Sequence, residues 1–187
     1  MTALMVTGHR NIVPAGWTGA PWPNNPTVKA HHDRIRNTIG HFVLKVHQET
    51  GISTFISGMA LGADQLFAEA VINLQVQGAP FKLVAAIPFK GQESKWPAAS
   101  QKKYQEIMAH ADHAVYVCDP GYAPWKMQKR NEWMVNNSTF CLAVWGGAQT
   151  GGTWNCIQYA KNTIVSIFRL DPTDPGITPD DIQPLTL

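Results

Sequence analysis

Charge is scarce in this chain of 187 residues. Only 15% of them are Asp, Glu, Lys or Arg, against about 25% in an ordinary soluble domain, while 44% are apolar. That balance excludes a disordered chain, which lacks the apolar surface to offset its ordering entropy. Lys and Arg total 15 and Asp and Glu 13, a net charge of +2. The stretch from Asp171 to Leu187 holds four of the acids and no base, so the first 170 residues carry six more bases than acids. A dense basic stripe is missing, which argues against a nucleic-acid partner and leaves charge enough for one small phosphate-bearing ligand. Long apolar runs are missing too. Nothing approaches the roughly 18 apolar residues of a membrane span. The run Ala3 to Val6 has no basic region ahead of it, unlike a secretory signal. The expectation is a cytoplasmic protein with no membrane partner. Cys118, Cys141 and Cys156 are odd in number, widely spaced and without a C-x-x-C pair. They read as free thiols rather than as a disulfide or zinc set, and no metal is expected.

What is there is an alternation of short apolar runs with segments of helical period, the pattern of a sheet covered on both faces. Strands are expected at Ala3 to Val6, Thr54 to Ile56, Lys82 to Ile87, Ala114 to Val117, Phe140 to Trp145 and Ile164 to Phe168. Helices are expected at Val28 to Val46, Ala63 to Gln77, Gln101 to Ala111, Met127 to Asn137 and Thr153 to Asn162. The fold class is therefore α/β. It is a single Rossmann-like, doubly wound domain over 1–170 with a mostly parallel sheet of about six strands. A tail over 171–187, rich in Pro and Asp, reads as a poorly packed appendage. In such sheets ligands bind beyond the carboxyl ends of the strands.

Three glycine-bearing turns fall at those ends: Thr7-Gly8, Ser57-Gly58-Met59 with Gly62, and Gly146-Gly147 with Gly151-Gly152-Thr153. Glycine lets backbone approach a phosphate, and a following helix start aims free N–H groups at the anion. None of the turns has the Gly-Lys-Ser/Thr of a P-loop or the G-x-G-x-x-G of a dinucleotide fold, so no nucleotide cofactor is expected. Arg10 and Arg130 suit phosphate, and Asn131 stands next to Arg130. His9 fits a phosphate donor, an acid/base or a backbone cap. Asp64 caps a helix or accepts from a ribose hydroxyl. Glu69, among apolar neighbours, reads as a buried carboxylate. The loop residues Trp17 and Trp96 are candidate stacking platforms, and Trp22 and Trp125 share the loop setting.

Thr7-Gly8-His9-Arg10, Ile56-Ser57-Gly58-Met59-Ala60-Leu61-Gly62-Ala63-Asp64, Ala86-Ile87-Pro88-Phe89 with Gln92 and Trp96-Pro97, and Ala111-Asp112 resemble, in that order, the YpsA-like group (DUF1273) of the SLOG superfamily. The resemblance spans about residues 5–171. That superfamily includes LOG phosphoribohydrolases, DprA and SMF proteins. Met127 to Met134, followed by Gly146 to Thr153, is similar to the LOG helix and loop. The catalytic Arg of LOG enzymes falls on Arg130. The catalytic Glu falls on Cys156, or on Asn155 with a one-residue slip, and neither is a carboxylate. The resemblance thus implies a pocket for a nucleotide or ADP-ribose-like molecule, serving to sense or sequester it, as a phage- or prophage-encoded member would. The alternative is a nucleotide N-glycosidase or transferase, with Arg130 on phosphate and Glu69 or Asp64 as the catalytic carboxylate. A DprA-like DNA-binding role ranks below both. The resemblance to LOG-type relatives further implies a homodimer or higher homo-oligomer.

Overall fold

The computed structural model of the chain describes residues 2–18 and 25–186; Trp22 lies outside them. The strands are β1 (Leu4–Gly8), β2 (Thr54–Ser57), β3 (Lys82–Ile87), β4 (His113–Tyr116), β5 (Phe140–Val144), β6 (Ser166–Leu170) and β7 (Gln183–Pro184). Between them run α1 (Pro26–Thr50), α2 (Ala63–Val76), α3 (Ala98–Met108), α4 (Pro124–Asn136) and α5 (Gly151–Lys161). They form one sheet in the order β4-β3-β2-β1-β5-β6-β7. Every neighbouring pair is parallel except β6 and β7.

The sheet is covered on both sides because its inner strands carry apolar residues on both faces. Leu4, Val6, Phe55, Leu83, Leu142 and Val144 point to the side of α1, α2 and α3. Met5, Ile56, Val84, Ala86 and Cys141 point the other way, against Met134, Cys156 and Ala160 of α4 and α5. The period-two alternation thus divides one apolar run between two cores. The chain starts in the middle at β1, winds outward through β4, then returns to place β5 on the other flank of β1. The reversal between β1 and β5 is the topological switch point, where a crevice opens beyond the strand ends.

The tail departs from the expected appendage. Ile177 and Ile182 are buried in the core beside α1. The Nε2–H of His31 donates to the Pro172 carbonyl at 2.7 Å, and the Thr173 carbonyl accepts from the Ala15 N–H at 2.8 Å. The two residues of β7 then add a seventh, antiparallel strand at the edge of β6. Gln183-Pro184 was too short to show alternation, and proline is tolerated there because an edge strand has one unpaired side. The final glycine loop also ends earlier than expected. Gly151 and Gly152 form the first turn of α5.

Candidate functional site

Three chain segments converge at the switch point only because glycine stands where they touch. A Cβ on Gly8 would lie 2.8 Å from both Cβ and O of Val144 on β5, and closer still to Cβ of Ala63, the first residue of α2. Gly62 adopts φ +83°, and a Cβ there would run into the backbone of His9 and Arg10. The ends of β1 and β5 and the start of α2 are thereby drawn around a cavity of about 260 Å³.

Arg130 of α4 enters this cavity from below. It is 6% exposed. Its Nη1 donates to the Gly58 carbonyl and reaches the Ala86 carbonyl at 3.5 Å, while its Nε donates to Oδ1 of Asn131 at 3.0 Å. Among the described residues no hydrogen bond engages Nη2. Asp64, in the first turn of α2, places Oδ2 3.7 Å from Nη1 and accepts from the Ala60 N–H at 3.2 Å. Burial pushes the Asp64 carboxyl above its ordinary value, with Arg130 opposing. Burial lowers the Arg130 guanidinium in turn, with Asp64 opposing. Asp64 is the one carboxylate among the described residues lining the cavity.

The opposite wall is the start of α5. Thr150 precedes the helix without a side-chain cap, so the N–H groups of its first turn meet the cavity with the positive end of the helix dipole. Asn131 reaches the Gly152 carbonyl at 3.5 Å and ties this wall to Arg130. Thr7, Gly8, His9 and Arg10 close the remaining side. The Nε2 of His9 accepts from the Gly146 N–H at 3.0 Å, so the ring is neutral and bridges the first and last glycine turns. Burial lowers its pKa, partly offset by Asp171.

The structure therefore gathers Thr7, Gly8, His9, Arg10, Asp64, Arg130, Asn131, Gly151, Gly152 and Thr153 at one cavity. It places the other candidates elsewhere. Ser57 and Met59 build the turn underneath: the Ser57 hydroxyl donates to the Asp64 carbonyl at 2.8 Å and accepts from the Met59 N–H at 3.1 Å. Gly58 supplies the carbonyl that holds Arg130. Gly62 borders a smaller cavity of about 120 Å³ with Arg10 and Gln65. Gly146 and Gly147 face the tail and Arg169. Trp17 lines none of the cavities at the strand ends.

Glu69 is not brought to Arg130. Its carboxylate sits between α1, α2 and α3, with Oε1 2.9 Å from Lys103 and Oε2 4.0 Å from Arg36. Five residues of helix turn Glu69 about 140° from Asp64 and carry it about 7.5 Å further from the strand ends. The positions matching the LOG glutamate offer no replacement. Asn155 is exposed on α5, and Cys156 is buried, its thiol pushed up to about 11 by that burial.

Trp96 lines a second cavity of about 460 Å³ beyond the end of β3, beside Phe89, Gln92, Lys95 and Tyr122. Arg10 and Met127 border both cavities. Met127, Lys95 and Tyr122 were not among the expected site residues. Tyr122 did carry a signal, an aromatic in the turn-rich Asp119 to Pro124 segment following β4.

Comparison with known proteins matches residues 24–171 to the YspA SLOG family (YpsA). The uncharacterized SPbeta prophage-derived protein YoqJ of Bacillus subtilis is 34% identical over 161 residues, covering 79% of this chain and 91% of that one. The UPF0398 protein BH1768 of Halalkalibacterium halodurans is 30% identical over 137 residues, covering 72% and 70%. Among solved structures, DNA processing protein A (DprA) of Streptococcus pneumoniae superposes with TM-score 0.57 at 17% identity over 90% of this chain. DNA processing protein A of Helicobacter pylori, described for its single-stranded DNA binding mode, gives 0.54 at 16% over 91%. The chain spans half of the first of these proteins and 65% of the second. At these identities the likeness establishes a shared fold. It also corrects the argument from charge: a fold with a single-stranded DNA binding member gives no ground for setting nucleic acid aside. The match over most of its length makes this chain a member of the YspA SLOG family.

Proposed function

We propose that the cavity between β1, β5 and α5 binds the phosphate of a nucleotide or ADP-ribose-like small molecule. One observation carries this reading. Arg130 is buried and anchored through Nε and Nη1, yet among the described residues no hydrogen bond engages its Nη2, and the uncapped N-terminus of α5 lines the same cavity. A buried guanidinium with a spare donor fits an anion better than water, because its charge is only partly offset by Asp64. The anchoring is already complete before the ligand arrives, which reduces the ordering cost of binding.

Calorimetric titration with AMP and ADP-ribose tests the reading. Removing the guanidinium in Arg130→Met weakens binding by about 1.5–3 kcal/mol, the scale of a charge-assisted hydrogen bond. Affinity unchanged in that variant removes Arg130 from the site and sinks the proposal. Chromatography of the same mixtures distinguishes holding from turnover. Free base that disappears in Asp64→Asn makes the protein a glycosidase with Asp64 as its acid/base group.

A second reading, binding of single-stranded DNA, is favoured by the fold shared with DNA processing protein A. Anisotropy of a labelled oligonucleotide at about 150 mM salt tests it, since weak nonspecific phosphate contacts are lost there.

A further inference from the structure

We propose that the second cavity, beyond the end of β3, receives the base of the nucleotide whose phosphate meets Arg130; this rests on the phosphate reading above. The cavity is about 460 Å³, within the roughly 300–1,000 Å³ range of small-molecule sites. Its lining is aromatic with a cationic rim, unlike the glycine and hydroxyl surface of the phosphate cavity. Phe89 is buried as its floor. Trp96 is held as a wall by an edge-to-face contact with Tyr104, at 5.6 Å and 85°. Tyr122 stands edge-on to Phe89 at 6.0 Å and is 66% exposed at the mouth.

An exposed tyrosine and a fixed tryptophan lining one cavity offer ring surface to a flat, π-rich group, and a base is the flat group a nucleotide carries. Lys95 lies 6.0 Å from the Tyr122 ring centroid. Gln92 is buried against the cavity, with the Tyr104 hydroxyl beside its amide and the Gly58 carbonyl at 3.4 Å, the long limit of a hydrogen bond. Its amide is the polar group at hand to read a base edge.

The two cavities also meet in the right place. Arg10 and Met127 are shared between them. The Arg10 side chain is exposed, and among the described residues no hydrogen bond or ion pair engages it. A ribose bridging the cavities puts base, sugar and phosphate in one line past Arg10. Thus the β3 end selects the ligand, while the switch point holds its charge.

The test compares ribose 5-phosphate with AMP, GMP, CMP and UMP, titrated against the full chain and followed by calorimetry. The tightest nucleotide is expected to bind at least about 10-fold more strongly than ribose 5-phosphate, the scale of one base–aromatic stack. Tyr122→Ala should lower that nucleotide to the level of ribose 5-phosphate and leave ribose 5-phosphate unchanged. Tyr122→Phe, which keeps the ring, should retain the preference. Exposure of Tyr122 makes misfolding an unsuitable explanation, and an unchanged melting temperature checks this. Equal binding of ribose 5-phosphate and every nucleotide overturns the base subsite while leaving the phosphate site standing. A nucleotide preference that survives Tyr122→Ala overturns it as well. No binding of any of the five overturns both readings.

Discussion

Gly58→Ala should damage the protein through a residue it does not alter. The new Cβ would fall on the Arg130 guanidinium and 2.7 Å from Oδ2 of Asp64. The backbone cannot retreat, because Ser57 ties this turn to both Asp64 and Met59, and Met59 is already in the left-handed region at φ 58°. Arg130 is the flexible partner and must swing out. It then gives up the Gly58 and Ala86 carbonyls and leaves Asp64 buried alone. At 3.7 Å the lost attraction is about 4.5 kcal/mol for an effective dielectric constant of about 20. Breaking a buried pair by removing one partner costs about 3–5 kcal/mol in measured cases. We therefore expect Gly58→Ala to lower unfolding free energy by about 3–5 kcal/mol, read by urea denaturation followed through tryptophan fluorescence.

The same variant carries a pH signature. Asp64 is already raised above its unfolded value by burial, and losing Arg130 raises it further. A raised carboxyl contributes stability below its unfolded pKa and loses it as pH climbs through the folded one. The penalty of Gly58→Ala should therefore shrink as pH falls toward 3.8. Adding Asp64→Asn removes the stranded charge, so the double variant should be more stable than Gly58→Ala alone. A loss under about 1 kcal/mol, or a double variant with additive losses, would refute the idea that Gly58 exists to admit Arg130.

Gly40, inside α1, has nothing within 4 Å of an added Cβ, so Gly40→Ala should stabilise by about 0.5–1 kcal/mol in the same denaturation assay. Ile182→Ala should cost about 2–5 kcal/mol, because its side chain is packed in the α1 core; a loss under about 0.5 kcal/mol would refute a structural role for the tail. His32 donates from Nε2 to the Ile12 carbonyl at 2.7 Å, and burial lowers its pKa below 6.5. The unfolded chain takes up that proton first, so melting temperature should fall as pH drops below 6.5, and His32→Gln should flatten the slope.

The fold was legible because each of the first six strands lies on a short, mainly apolar segment, and that local pattern is what a covered parallel sheet requires. The parts that were not legible depend on distance through space. Gly8, Gly58 and Gly62 read alike in sequence as turn glycines. In the structure one admits Ala63, one admits a guanidinium, and one admits the His9–Arg10 backbone. Glu69 reads in sequence as a buried carboxylate because its neighbours are apolar, but helical rotation gives the cavity to Asp64 and gives Glu69 to Lys103. The tail read as an appendage because Pro and Asp dominate it. Two isoleucines spaced five apart, two backbone carbonyls and a two-residue edge strand anchor it, and no periodicity reveals so sparse an anchor. Low charge was the most misleading signal. The proposed anion donors are one helix start and one buried guanidinium, and their arrangement is invisible to a count of Lys and Arg. On the proposed reading the site binds by preorganised geometry, so its partner is to be sought by the shape of the two neighbouring cavities, with net charge a weak guide.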